Sequence, residues 1–232
     1  MWDDDNALSE LEEIIKVEAP DVVCFGVSIY SEGGSLEKRR IPVRPVNAKR
    51  KCELVEHLVK TNQYFSTSYV KVLKRDFLIK NDLFFIKGLL SEDIEWSARI
   101  LVRCSTISIY PSAFYKRIRR ASGSITSSIG EKNITDILGS IEKGVIFAGN
   151  NCENKEMLCL YYEYWAYQYA MLLGLAYELR RSDGFEALLQ RIKDLKWLLT
   201  YDHEKKVRMV HAAVSLLGLR VTMAAMCMYY RL

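Results

Sequence analysis

The chain has 232 residues, of which half are hydrophobic and about a quarter are charged, and its net charge is +4 at pH 7. This composition is typical of a globular protein with one large domain or two small ones, and so small a charge gives no support for nucleic-acid binding. The six cysteines include no C-x-x-C pair and the three histidines are widely separated, which excludes the usual zinc motifs and predicts reduced, mostly buried thiols in a cytosolic protein.

The chain begins with an acidic segment that leads into the first predicted helix. Asp3–Asp5 suit a helix start, where the macrodipole favours negative charge, and their oxygen atoms also suit a hard cation; the helix start is the favoured alternative. So acidic a segment is unlike a signal peptide, and none is expected. Pro20 ends the helix, and the β-branched and aromatic residues of Asp21–Tyr30 predict a buried strand.

A basic segment and several short elements follow. Lys38–Lys51 holds seven Lys or Arg and two prolines, which predicts an exposed loop; contact with phosphate or an anionic membrane surface is the alternative. The other elements predicted before residue 130 are short helices at Cys52–Val59 and Lys74–Lys80, mixed or extended chain at Gln63–Leu73, a strand at Thr106–Tyr110 and extended chain at Ala113–Ile118.

The stretch Gly88–Arg99 joins a turn glycine to an acidic pair and then to a helical pattern. Ser91 is a favourable N-cap residue, and Glu92 and Asp93 then lie in the first turn, where the macrodipole favours them. A helix start therefore accounts for these acids without any chemistry. The alternative is a carboxylate at the edge of a cleft that takes a proton from a substrate hydroxyl. The local pattern alone favours the first interpretation.

A second cluster of basic residues precedes the small-residue segment 121–130. Arg117, Arg119 and Arg120 suit a phosphate clamp, because the planar guanidinium matches phosphate oxygens. A solvated basic loop is an equally good interpretation.

Only helices are predicted after residue 130. Between Met157 and Tyr177 the single charge is Glu163, yet five tyrosines argue against a membrane span and favour a buried helix, or one that lies on a membrane surface. Basic residues beside Met- and Tyr-rich faces at the end of the chain suit either peripheral membrane contact or packing within the fold. The predicted helices are Asn133–Val145, Glu156–Arg180, Phe185–Leu199, Val207–Leu217 and Leu219–Leu232.

Five segments occur in the order found in family 2 glycosyltransferases of the bacterial polysaccharide type, and the stretch from Trp2 to about Thr126 resembles the second half of such an enzyme. The family segments are D-x-D-D-W with N-A-L, D-V-V-x-F-G, K-L-Y-R-R-E-L-L, G-L-x-x-E-D and Y-x-x-R-x-R-x-x-S-I-T. They are matched by Trp2 with Asn6–Leu8, Asp21–Gly26, Lys71–Leu78, Gly88–Asp93 and Phe114–Thr126.

The resemblance implies a reaction in which a sugar moves from a nucleotide-sugar donor to a hydroxyl of a glycan acceptor. By match, Asp93 is the general base and Glu92 positions it. Trp96 would stack on a sugar face, while Arg117 and Arg119 would stabilise the departing diphosphate. The family also implies a divalent metal, Mg or Mn.

The resemblance also implies what this chain lacks. Trp2 matches the last residue of D-x-D-D-W, so the metal-binding aspartates and the nucleotide-binding first half are expected to be missing, and Asp3–Asp5 lie on the wrong side of Trp2 to replace them. Val70 stands where the family usually has asparagine. No metal site is therefore predicted in this chain.

The expected fold is α/β. A partial GT-A-like sheet with flanking helices, the acceptor-side half, is predicted for residues 1–130, and an all-helical C-terminal region is predicted for 131–232. Two functions remain open: a glycosyltransferase whose donor-binding half comes from elsewhere, and a non-catalytic glycan-binding or assembly module. The partners considered are the nucleotide-sugar donor, the glycan acceptor, a partner chain or a second copy of this chain, and a membrane surface in peripheral contact. The expected location is cytoplasmic, with the inner face of the membrane as an alternative, and no nucleic-acid partner is expected.

Overall fold

The computed structural model describes residues 6–45, 50–119, 130–152 and 154–231. The chain divides into two compact units, Met1–Phe84 with Arg99–Ser128 and Phe85–Ala98 with Ile129–Leu232. The expected α/β class, with small sheets followed by a large helical region, is confirmed. The division into functional regions at residue 130 stays a prediction.

The first unit combines short helices with two three-stranded sheets. Its helices are α1 (Ala7–Glu18), α2 (Lys51–Lys60) and α3 (Arg75–Lys80), and its strands are β1 (Val22–Cys24), β2 (Val27–Tyr30), β3 (Leu36–Arg40), β4 (Lys71–Leu73), β5 (Ile107–Ile109) and β6 (Tyr115–Ile118). Helix α4 (Glu92–Arg103) begins in the second unit and ends in the first. The predicted helices at Cys52–Val59 and Lys74–Lys80 and the predicted strand at Thr106–Tyr110 are confirmed.

The segment predicted as a strand at Asp21–Tyr30 divides between the two sheets. One sheet has the order β4-β1-β5 and the other β3-β2-β6, and in each the central strand is antiparallel to the first neighbour and parallel to the second. The break falls at Gly26, whose N–H donates to the carbonyl of Ser112 at 2.7 Å. A Cβ at Gly26 would lie 2.2 Å from the carbonyl oxygen of Arg40, so the crossing needs glycine. An apolar run does not reveal this requirement.

The basic segment Lys38–Lys51 was predicted as a loop, which is wrong at both ends. Lys38–Arg40 completes β3, and Lys51 opens α2. Strand β3 is mostly exposed, so it tolerates charged side chains that the sequence pattern assigned to a loop. Arg44, in the irregular part, pairs with Glu18 at 2.6 Å. Residues 46–49 lie outside the described residues.

Buried aromatic residues in the connections between the strands lie at the centre of the core of the first unit. Phe25 stacks on Phe114 with ring centroids 4.6 Å apart, and Tyr110 lies 5.7 Å from the same ring. Leu11 of α1 and Val27 of β2 belong to the same buried cluster. Burial of these rings holds the ends of β1, β2 and β6 in fixed positions.

The second unit is helical, as predicted. Its helices are the start of α4, then α5 (Glu131–Asn151), α6 (Lys155–Ala176), α7 (Phe185–Asp194), α8 (Lys205–Leu217) and α9 (Leu219–Arg231), with 3₁₀ turns at Tyr177–Leu179 and Lys196–Thr200. Helix α6 packs against α5, α8 and α9. Tyr161, Trp165 and Tyr169 of α6 are fully buried. The prediction of a buried core helix is confirmed, and no helix among the described residues is long and apolar enough to cross a membrane.

Gly144 of α5 allows the closest approach to α6. A Cβ at this position would lie 2.2 Å from the Trp165 ring, and Trp165 is completely buried and cannot move aside. We expect Gly144→Ala to lower the free energy of unfolding by about 1–3 kcal/mol through overpacking. Urea unfolding followed by circular dichroism measures this change.

Gly139, five residues earlier on the same helix, provides the matched control. A Cβ there meets only the end of the Arg191 side chain at 4.0 Å. Gly139→Ala should therefore raise stability by about 0.5–1 kcal/mol, because alanine loses less backbone entropy in a helix. Equal effects of the two substitutions would contradict the packing account.

Candidate active site

The acidic start of α4 is the feature from which the site is built. Glu92, Asp93 and Glu95 all lie in its first turn, as the sequence predicted, and all three are partly exposed. The positive end of the helix macrodipole stabilises these negative charges. Ser91 lies directly before the helix, but its φ of 55° is left-handed, unlike the extended backbone of an N-cap residue. The expectation that Ser91 is the N-cap residue is therefore wrong.

Three residues at the start of α5 hold the segment that leads into α4. Lys132 donates to the carbonyl oxygen of Gly88 at 2.8 Å, and Asn133 donates through Nδ2 to the hydroxyl of Ser91 at 3.0 Å. Asp136 accepts the backbone N–H of Leu90 at 2.9 Å and also pairs with Lys132. These contacts, which we call the α5 clamp, fix the position from which the acidic turn starts.

Electrostatics favour the charged form of Asp136. Partial burial opposes ionisation, but the hydrogen bonds from Lys132 and from the backbone N–H of Leu90 outweigh it, so the pKa of Asp136 is lowered. The carboxylate therefore stays ionised and keeps both hydrogen bonds at neutral pH. Sequence reasoning did not identify the clamp, since the i, i+4 spacing of Lys132 and Asp136 indicates an ion pair on α5 but not its contact with residues 88–91.

Tyr164 of α6 lies beside the acidic turn. Its hydroxyl donates to the carbonyl oxygen of Ile94 at 2.7 Å. Burial raises the pKa of Tyr164 well above its usual value of 10, and the negative charges of Asp93 and Glu95 raise it further. Tyr164 is therefore a neutral hydroxyl that supports the first turn of α4. Nothing in the local sequence around Tyr164 signals this role, because the contact joins residues 70 positions apart.

Asp93 has the exposure that a general base needs, since its side chain is only partly buried at a helix start. A carboxylate in such a place can accept a proton from a bound hydroxyl while the helix dipole stabilises its charged form. Glu92 precedes it in the same turn and is likewise partly exposed. The catalytic roles of Asp93 and Glu92 stay predictions.

Trp96 lies one turn further along α4 and is almost completely buried. Its side chain is 6% exposed, and its ring centroid lies 4.9 Å from that of Phe85. A sugar could stack on this ring only after neighbouring side chains moved. The predicted sugar contact stays a prediction, while the packing of Trp96 gives it a structural role in anchoring α4.

The two arginines predicted to meet the diphosphate lie on or beside β6 in the first unit. Arg117 is half-buried and its guanidinium donates to the Tyr69 hydroxyl at 3.4 Å. Arg119 is exposed and pairs with Glu37 at 3.3 Å, while its backbone N–H donates to Tyr30. Arg117 therefore lies within β6, whereas Arg119 directly follows its last residue, Ile118. Arg120 and the segment that follows it to residue 129 lie outside the described residues.

The described residues bring no three His, Cys, Asp or Glu side chains together as a metal site. Asp3–Asp5 lie outside the described residues. The described residues include all six cysteines, and none of them forms a disulfide, as predicted; three of the six are buried. Burial raises the pKa of Cys24 to about 11 and that of Cys104 to about 12. These two thiols remain protonated and unreactive at neutral pH.

The sequence matches no protein-family model and no curated protein. Solved structures do share its fold. The chain resembles S. aureus TarS residues 1–349 in complex with UDP-GlcNAc at 15% identity and a TM-score of 0.53, over 97% of this chain and 64% of that one. A second crystal structure of S. aureus TarS 1–349 matches at 14% identity and a TM-score of 0.50, over 97% of this chain and 62% of that one. A crystal structure of S. aureus TarS matches at 14% identity and a TM-score of 0.50, over 89% of this chain and 37% of that one.

The fold is glycosyltransferase-like. At this level of identity the likeness establishes the fold and leaves residue roles to experiment. The chain spans less than two-thirds of the TarS chains that it matches. Assignment to family 2 stays a prediction.

The pKa of Asp136 gives the α5 clamp a defined pH dependence. Because that pKa is lower in the folded chain than in the unfolded chain, its stabilisation is present above about pH 4 and is lost as the pH falls through the folded value. We expect Asp136→Asn to lower the free energy of unfolding by about 1–2 kcal/mol at pH 7, with a smaller difference from wild type below about pH 3. Urea unfolding over this pH range tests it.

Asp76→Asn is the matched control for this substitution. Asp76 is an exposed acid in the first turn of α3, where it meets the same helix dipole without a clamp. Its replacement should change stability by less than about 0.5 kcal/mol. If Asp136→Asn lowered the free energy of unfolding equally at every pH, the charge of Asp136 would not contribute to stability.

Proposed function

We propose that this protein acts in the transfer of a sugar from a nucleotide-sugar to a glycan hydroxyl, with Asp93 as the general base. The observation that carries the proposal is the likeness of its fold to TarS, one structure of which contains UDP-GlcNAc. A uridine diphosphate sugar is therefore the donor class to test first, and its binding by this chain would overturn the expectation that the nucleotide-binding half is missing. The partly exposed carboxylate at the start of α4 supplies the chemistry that the acceptor hydroxyl requires.

The proposed reaction uses residues of this chain as follows. Asp93 removes the proton of the acceptor hydroxyl as its oxygen forms a bond to the anomeric carbon, and the bond from that carbon to the β-phosphate oxygen breaks to release the nucleoside diphosphate. The α5 clamp and Tyr164 hold the acidic turn in place, which limits the reorganisation needed to reach the transition state. Glu92 positions Asp93.

Charge on the leaving diphosphate requires positive partners. Arg117 and Arg119 are proposed for this role, since bidentate guanidinium contacts suit phosphate oxygens. A divalent metal is the family's usual partner for the same charge, but the described residues form no cluster of His, Cys, Asp or Glu that fits one. We therefore assign no step to a metal.

The role of Asp93 predicts a specific loss of turnover. Asp93→Asn keeps the shape of the side chain but cannot accept the proton, so the rate of UDP release from UDP-GlcNAc in the presence of glycan acceptors should fall about 10²–10⁴-fold. The dissociation constant of UDP-GlcNAc, measured by calorimetry with and without manganese, should stay within about twofold of wild type.

Asp76→Asn again serves as the control, and its turnover should equal that of wild type. Equal losses in both variants would contradict a catalytic role for Asp93. If the wild-type chain binds glycans but neither binds nor cleaves UDP-sugars, the alternative of a non-catalytic glycan-binding or assembly module is favoured instead.

The role of Arg117 predicts a loss of nucleotide affinity. Arg117→Ala should raise the dissociation constant of UDP about tenfold, since a charge-assisted contact is worth roughly 1.5–3 kcal/mol. Lys116→Ala is the matched control, because adjacent strand residues point to opposite faces and Lys116 lies over the Tyr30 ring at 4.1 Å. Equal losses from both substitutions would indicate a general charge effect and would contradict a specific site.

A further inference from the structure

Three large apolar side chains in succession are exposed in the segment that leads to the acidic turn. Phe84, Phe85 and Ile86 are 58%, 48% and 46% exposed, although side chains of this type are most often buried. A single exposed apolar residue is ordinary in a globular protein. A contiguous apolar patch beside a candidate active site is instead typical of a surface that binds something.

The backbone of this segment is held at both ends, so its exposed side chains do not belong to a loose loop. Arg99 donates through its guanidinium to the carbonyl oxygen of Phe84 at 2.7 Å. After the exposed residues, the backbone N–H of Leu89 donates to the carbonyl oxygen of Ile86 at 3.2 Å, and the α5 clamp holds residues 88–91. The apolar side chains therefore start from a fixed backbone, which lowers the entropy that a ligand must overcome on binding.

Phe85 packs against the helix that carries the acids. Its ring centroid lies 4.9 Å from that of Trp96, with an angle of 41° between the two ring planes. Because Trp96 is only 6% exposed and Phe85 is 48% exposed, the aromatic surface that a ligand can reach here belongs to Phe85. Trp96 supports that ring and fixes its position.

Helical spacing places Phe85 beside the candidate general base. Trp96 follows Glu92 by four residues and Asp93 by three, and residues at these spacings are neighbours on one face of a helix. The ring that packs on Trp96 therefore lies by the face of α4 that carries both carboxylates. All four residues belong to the second unit.

An exposed aromatic ring beside carboxylates selects a sugar among the ligands that cover apolar surfaces. A hexose presents C–H groups on one face, which pack on an aromatic ring, and hydroxyl groups at its edge, which donate to carboxylate oxygens. A lipid or an apolar peptide would remove water from Glu92 and Asp93 without supplying hydrogen-bond donors, which is costly. A two-fold contact between copies of this chain would bring the same acids together, which charge repulsion opposes.

We propose that Phe85 is the residue on which a sugar of the glycan acceptor stacks, so that a hydroxyl of the same glycan reaches Asp93. Trp96, for which the sequence predicted a sugar contact, supports the Phe85 ring. The inference rests on the proposed function, because it adds an acceptor contact to the same site. The contact itself needs no donor, so it can be measured as glycan binding alone.

Glycan binding in the absence of any nucleotide-sugar tests the contact directly. The full chain is applied to an array of immobilised oligosaccharides of hexoses, N-acetylhexosamines and hexuronic acids, and wild type should be retained on a subset of them. Phe85→Ala should raise the dissociation constant for those glycans at least about tenfold, whereas Phe85→Tyr keeps the aromatic face and should stay within about threefold of wild type. Phe85 is about half exposed, so both variants should fold, which circular dichroism checks.

Tyr229→Ala is the matched control, because it removes another exposed aromatic ring from the same unit. Tyr229 is 75% exposed, and its neighbour Tyr230 packs at Gly174, roughly 15 Å along α6 from Tyr164. Glycan binding by this variant should equal that of wild type. Equal losses in Phe85→Ala and Tyr229→Ala, unchanged binding in Phe85→Ala, or no glycan retained by wild type would overturn the proposal.

Turnover separates this inference from the proposed function. In the UDP-release assay, Phe85→Ala should raise the KM for the retained glycan about tenfold and leave the dissociation constant of UDP-GlcNAc unchanged. Glycan binding that depends on Phe85 in a chain that releases no UDP would support the acceptor contact and contradict transfer. UDP release with a glycan KM that Phe85→Ala does not change would support transfer and overturn the contact.

Discussion

Burial of α6 is the constraint on which the helical unit depends. This helix carries aromatic residues on nearly every side, so it is stable in water only when neighbouring helices cover most of its surface. Helices α5, α8 and α9 supply that cover, and the contact of Gly144 with Trp165 shows how closely they approach. Tyr164 belongs to the same helix, and its buried hydroxyl reaches the carbonyl of Ile94. The packing of α6 thereby fixes the position of the first turn of α4.

The α5 clamp also fixes the start of α4, from the side of α5. Glu92, Asp93 and Glu95 lie together in one helical turn, where the positive end of the helix dipole stabilises their charge. Hydrogen bonds from Lys132 and Asn133 and to Asp136 hold the residues that precede this turn, so the position from which the acids start is fixed.

Much of the fold follows from local sequence patterns. The remaining parts depend on contacts between residues that are far apart in the sequence. Apolar periodicity predicted most helices, because helix formation and one-sided burial use the same spacing, while the length and apolar content of its segment predicted the buried α6. It could not show that Gly26 divides one apolar run between two sheets, since the requirement arises from carbonyl oxygens of Arg40 and Ser112. Exposed β3 was missed because its charged residues carry no alternation of polar and apolar side chains.

The site shows the same division between local and distant information. The position of Glu92 and Asp93 in a first turn could be predicted from the sequence, whereas Tyr164 and the α5 clamp could not, because they reach the turn from more than 40 residues away. Trp96 shows the same limit, since its burial against Phe85 is visible only in three dimensions, and the sugar contact suggested with the family resemblance stays a prediction.

The net charge of the whole chain hides an uneven distribution of charge along the sequence. A value of +4 over 232 residues gave no indication of an electrostatic partner, yet the last 28 residues carry +5 and the rest −1. Screening limits exposed charges to a range of roughly 8–10 Å, so a partner responds to the local value and not to the average. Contacts modify the local value in turn, because Arg220 of α9 pairs with Glu186 of α7 and Arg208 of α8 donates to the carbonyl oxygens of Asp202 and His203. The charge that a partner meets therefore depends on the folded neighbours of each side chain as well as on its place in the sequence.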